Sequence, residues 1–156
     1  MKTEENLTPV TASVERANQL AEHVNQLTDD LWSDLEESPQ ELWDYITHIW
    51  DEYNCSPIDV TKNERIDATL SYRLIYEFLF ALPAQSPEKT YLLVNKMIKH
   101  TTAFAISHQL LNMHMEYVIT TDDEASQRRA YTNLFRTFAD YLDNIGLLYK
   151  AEAEAK

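Results

Sequence analysis

With 156 residues the chain fits a single domain that buries about 70% of its unfolded surface, so it needs neither a disulfide framework nor a structural metal to build a core. Its single glycine, Gly146, stands where average usage would place roughly 11, which disfavours β-hairpin folds, P-loops and Rossmann fingerprints together. A net charge of −13 argues against direct contact with nucleic acid or anionic lipid and in favour of a basic protein partner.

The expected fold class is all-α: a compact up-and-down bundle of about five helices around a long central helix, residues 87–119. Residues 1–9 read as a flexible N-terminal arm, 10–150 as a single helical-bundle domain and 151–156 as a polar tail. No apolar run follows Lys2, so neither a signal peptide nor a membrane span is expected. The lone cysteine, Cys55, fits a reduced, cytoplasmic setting.

The first helix is expected over Thr11–Glu37, with Val14, Ala17, Ala21, Val24, Thr28, Leu31 and Leu35 as its buried line. Ser38, Pro39 and Glu41 supply an N-cap, an N1 proline and a capping-box acid for helix two. So short a connection predicts that the two helices pack as antiparallel neighbours. Helix two turns Leu42, Ile46, Ile49, Trp50 and Tyr53 inward, with Trp43 near the edge, and a loop covers Asn54–Val60. Thr61 with Glu64 repeats the capping-box spacing and starts helix three, whose expected core face is Ile66, Leu70, Leu74, Phe78 and Ala81.

Ser86 and Pro87 mark the start of the central helix, where Leu93, Met97, Phe104, Leu111 and Val118 predict a core-facing stripe. Its polar line is Asn95, Lys99, Thr102, Gln109 and Glu116. Thr121 and Glu124 predict one more capping box, and Tyr131, Leu134, Phe135, Phe138, Tyr141, Leu142 and Ile145 form the core face of the last helix, which Gly146 is expected to end in a left-handed conformation.

Charge is the strongest functional signal. Residues 1–56 carry 13 acids against Lys2 and Arg16, a balance of −11, whereas residues 57–156 carry 13 acids against 11 bases, a balance of −2. From Ala17 to Thr61 there is no lysine or arginine. The candidate partner-binding residues are Asp29, Asp30, Asp34, Glu37, Glu41, Asp44, Asp51 and Glu52, with Trp43 as an aromatic anchor. This pattern points to a non-enzymatic adaptor, chaperone or inhibitor that engages a basic protein, in one version by imitating the phosphate array of DNA. An acidic, solvated face over a tryptophan-rich core would produce the same letters.

The competing class is a helical enzyme or a metal or cofactor binder built on His100, His108 and His114. Residues two turns apart on one helix are about 10 Å apart, so other helices would have to complete such a site. The chain has no Glu-x-x-His pair and no His-Glu-x-x-His motif, and no cofactor is expected. Histidines bonded to backbone or tyrosine are the alternative. Asp44, His48 and Glu52 stand four apart on helix two, the spacing of ordinary contacts along an exposed face. Cys55, amid Asp51, Glu52 and Asp59, has no neighbour that would favour a thiolate nucleophile. The sequence leaves homo-oligomerisation open.

Overall fold

A computed structural model of the protein describes residues 9–55 and 60–155. The remainder, which includes all but Pro9 of the expected N-terminal arm, most of the loop after helix two and Lys156, lies outside the described residues. Six α-helices are present among those described: α1 (Pro9–Asp34), α2 (Gln40–Cys55), α3 (Lys62–Ala81), α4 (Thr90–Met97), α5 (Ala103–Thr120) and α6 (Ala125–Glu154), with short 3-10 turns at Leu82–Ala84 and Pro87–Lys89. The all-α bundle is therefore the fold. No helix among the described residues is long and apolar enough to cross a membrane.

The packing order differs from the chain order. α1 lies against α6 and α4, α6 against α5, α5 against α2 and α3, α2 against α3, and α3 against α4. α1 and α2, expected as antiparallel neighbours, have no extended contact with each other. The reason lies in the corner that joins them. The Glu37 N–H donates to the Trp32 carbonyl at 2.9 Å and the Glu36 N–H to the Ser33 carbonyl at 3.0 Å, the bonding of a Schellman ending. Glu36 and Glu37 adopt φ of 56° and 60°, which turns the chain away from a simple hairpin.

A side chain in the left-handed region costs roughly 1–2 kcal/mol, and glycine is the usual residue at this position. Glu36→Gly is therefore expected to raise the unfolding free energy by about 1 kcal/mol, less the flexibility glycine adds to the unfolded chain. Urea denaturation checks this; an unchanged or lower midpoint would contradict it.

The long central helix is two helices. α4 ends at Met97; Ile98 has φ −105° and ψ 18°, and α5 restarts after Thr102, whose hydroxyl accepts the Ala105 N–H at 3.0 Å. The β-branched pair Thr101–Thr102 is the local cause, because a threonine that bonds the backbone three residues on competes with helix continuation. Ser86 opens a 3-10 turn without a side-chain cap, so α4 itself has only eight residues.

This interruption resets the helical phase. On α5 the buried residues are Ala103, Ile106, Leu110, Met113, His114, Glu116 and Tyr117, and the expected core positions Phe104, Leu111 and Val118 are exposed. Glu116, assigned to the polar line, is buried. The face of α3 is shifted too: Ala68, Ser71, Ile75, Phe78 and Leu79 are buried, whereas Ile66 and Leu70 are exposed. The faces of α2 and α6 agree more closely. Leu42, Ile46, Ile49 and Tyr53 are buried, joined by Tyr45, and Trp50 is only half-buried. Phe138, Tyr141, Leu142 and Ile145 are buried on α6. On α1 the line holds from Val24 onwards; Val14 and Ala17 are exposed.

Of the helix starts, the Thr61–Glu64 capping box forms in both directions, at 3.1 Å and 3.2 Å. The Thr121–Glu124 box does not: Thr121 Oγ1 accepts the Asp123 N–H instead, and α6 begins at Ala125 with Glu124 as an N-cap that makes no side-chain bond. Gly146 is not a helix stop. It is buried inside α6, has no positive φ, and a Cβ built there would lie 2.8 Å from the Phe104 ring. Close approach of α5 to α6, not chain reversal, is what its missing side chain serves. α6 continues through Glu154, so most of the expected polar tail is helical.

Candidate interaction surface

The α1–α2 corner concentrates charge. Asp34, Glu36, Glu37, Glu41 and Asp44 fall within eleven residues and all are exposed. Among the described residues, none of these five is in an ion pair with a lysine or arginine. Asp44 accepts from Gln40 at 2.8 Å, and Asp30 accepts from Gln26 at 3.0 Å. Glu41 lies in the first turn of α2, where the helix dipole favours an acid. Asp51 is exposed seven residues beyond Asp44 and so extends the same line along α2.

The other candidates lie elsewhere. Asp29 borders a groove of about 240 Å³ between α1 and the 3-10 turns, beside Trp32, Leu82 and Pro87. Asp30 lies one turn before the corner's Asp34 on the same side of α1, about 100° around the helix from Asp29. Asp29 is thus set apart from the corner, and the acids do not make one continuous sheet of charge.

Trp43 anchors an aromatic ladder that sequence reasoning missed. Its ring meets Tyr76 edge-on at 4.6 Å and Phe80 at 6.1 Å. Tyr72, Tyr76 and Phe80 repeat every fourth residue on α3, and Trp50 stacks on Tyr72 at 4.3 Å while its indole N–H donates to Thr69. Phe80 is 67% exposed. The 72–76–80 spacing was the available signal; it was obscured because Ile66, Leu70 and Leu74 offered a competing apolar line on the same helix.

The histidine alternative does not converge on one site. His100 lines a groove of about 580 Å³ with Arg73 and Lys96, between α3, α5 and the 98–102 turn. His108 lines a different groove, between α5 and α6. His114 is buried, 4% exposed, with Nδ1 2.7 Å from the Tyr45 hydroxyl and its ring stacked on Phe135 at 4.3 Å. Burial pushes the Tyr45 phenol far up, so it keeps its proton and donates to Nδ1. The same desolvation lowers His114 to about 4, and the ring is neutral at pH 7. His114 is thus a core histidine bonded to tyrosine.

His48 Nε2 lies 3.2 Å from Glu52 Oε1, the neighbour its spacing implies, and 3.5 Å from Asp123 of the α5–α6 connection. The Tyr117 hydroxyl donates to that Asp123 carboxylate at 2.7 Å. Around them Tyr45, Tyr117, Tyr131 and His48 pack ring to ring, with centroids 5.0–5.6 Å apart, which leaves no room for a ligand between them. Among the described residues no group of three His, Cys, Asp or Glu is placed to hold a metal ion. Cys55 is a free, exposed thiol at the end of α2. Comparison with protein-family models, with curated proteins and with solved structures gave no match for this chain.

Proposed function

We propose that the protein is a non-enzymatic binding protein that engages a basic protein partner at the α1–α2 corner and the adjoining crest of α2, acting as an adaptor, chaperone or inhibitor. One observation carries the reading: five exposed carboxylates, none ion-paired with a lysine or arginine among the described residues, surround a corner held open by two glutamates in the left-handed region, next to the Trp43–Tyr76–Phe80 platform. Glutamate at 36 and 37 sacrifices stability that glycine would supply, and strain of this kind concentrates at functional positions. Carboxylates at the rim steer a cationic partner, and exposed aromatic rings give an arginine or lysine side chain a face to stack on.

The test reverses Asp34, Glu37, Asp44 and Asp51 to lysine and compares binding with wild type, using partners captured from the native host. Association with wild type should slow as salt rises and the Debye length falls from about 10 Å at 0.1 M to about 3 Å at 1 M. The four-lysine variant should keep its helical circular dichroism and lose affinity at low salt. Wild-type affinity in that variant would refute the proposal and leave the acidic run as a solvated surface.

A further inference from the structure

Opposite in character to the acidic corner is the outer face of α5. Phe104, His108, Leu111, Met115 and Val118 alternate four and three residues apart, the a/d spacing of a helix that packs on another helix. All five are exposed, as is the adjacent Ile119. The only Asp, Glu, Lys or Arg of α5, Glu116, is buried on another side. A chain of net charge −13 therefore presents one helix face without formal charge.

The neighbouring helix has a complementary pattern. α5 and α6 run antiparallel, since Phe104 lies over Gly146, His114 stacks on Phe135 and Tyr117 packs on Tyr131. The groove of about 410 Å³ between their outer faces is lined by Phe104 and Leu111 from α5 and by Arg136, Ala139, Asp140 and Asp143 from α6. Arg129 stands seven residues before Arg136 on the same line, and exposed Leu147 stands four after Asp143. The flank of the apolar stripe is thus basic toward one end and acidic toward the other.

We propose that this face binds a second copy of the chain, α5 against α5, about a two-fold axis near Leu111. A two-fold axis matches a surface to itself, and an antiparallel pairing sets Arg129 and Arg136 of one copy beside Asp140 and Asp143 of the other. A parallel two-fold pairing would instead place the two α6 flanks on opposite sides of the α5 pair, where their charges do not meet. Phe104, Leu111, Met115 and Val118 are each 40–51% exposed and Ile119 is 67% exposed, so the stripe offers contiguous apolar surface, and the α6 flanks add to it toward the roughly 1,200 Å² at which specific interfaces begin. The face is built from α5 and α6, whereas the acidic corner is built from α1 and α2.

Light scattering after size exclusion at high micromolar concentration should give wild type twice the 18.2 kDa chain mass. Leu111→Glu with Met115→Glu should give the single-chain mass with unchanged helical circular dichroism, since both positions are exposed. As a second test, Arg136→Asp and Asp143→Arg should each weaken dimerisation about tenfold, and the two together should restore it. A wild type of single-chain mass, a dimer that survives the double glutamate change, or a charge exchange that fails to recover association would each overturn the proposal.

Discussion

Leu110→Ala is expected to destabilise the protein by about 2–5 kcal/mol, whereas Leu111→Ala, one residue on, should cost less than about 1 kcal/mol. Leu110 is fully buried on the inner line Ile106, Leu110, Met113 and Tyr117, and its truncation leaves a cavity among side chains that relax only partly. Leu111 is 41% exposed on the outer face, so its loss removes contacts at the edge of the core. Urea denaturation at low protein concentration, where any self-association is minimal, measures both. The pair tests the phase of α5 directly. A continuous helix over 87–119 with its stripe on Leu93, Met97, Phe104, Leu111 and Val118 would reverse the order, making Leu111 the costly site.

The second large effect concerns pH. His114 is neutral in the fold, with its pKa lowered by burial from 6.5 to about 4. Between those two values the unfolded chain binds a proton that the folded chain refuses, so stability rises with pH across this window. The contribution is fully present above about pH 6.5, declines as pH falls, and is lost at about pH 4; the difference is on the order of 3 kcal/mol. Carboxylates titrate at the lower end of the same range, so the diagnostic is a comparison. His114→Gln retains a side chain that can accept the Tyr45 proton but does not itself titrate. Its unfolding free energy should fall less steeply than that of wild type from pH 6.5 to 4.5. Equal slopes would show that His114 does not titrate as a buried group.

His114 also shows why the candidate sites were unevenly legible. Its spacing from His100 and from His108 suggested a shared face, but a shared face requires one continuous helix. The break at 98–102 removes His100 from that helix, and the phase of α5 sends His114 inward and His108 outward. Asp44 and Asp51, by contrast, lie on an uninterrupted helix whose apolar face Leu42, Ile46, Ile49 and Tyr53 is unambiguous, so their exposure follows from spacing alone. Trp43 was legible as an edge residue, but its partners Tyr76 and Phe80 are more than thirty residues away and belong to a helix whose inward face was misassigned.

By itself the sequence determined that the chain is helical, because one glycine and recurrent apolar spacings leave hairpins and phosphate loops without their required backbone. It also determined the capping box at Thr61, the core faces of α2 and α6, and the concentration of acid in the first 56 residues, all of which depend on residues close in sequence. Only the tertiary structure decided which helices are neighbours, why Gly146 lacks a side chain, and which face of α5 points inward. α1 turns from α2 toward α6 through left-handed backbone that glutamate rarely adopts, and Gly146 answers to a phenylalanine from another helix. α5 is apolar on most of its circumference, so local periodicity gives it two workable faces. Packing against α2, α3 and α6 selects one of them and leaves the other exposed.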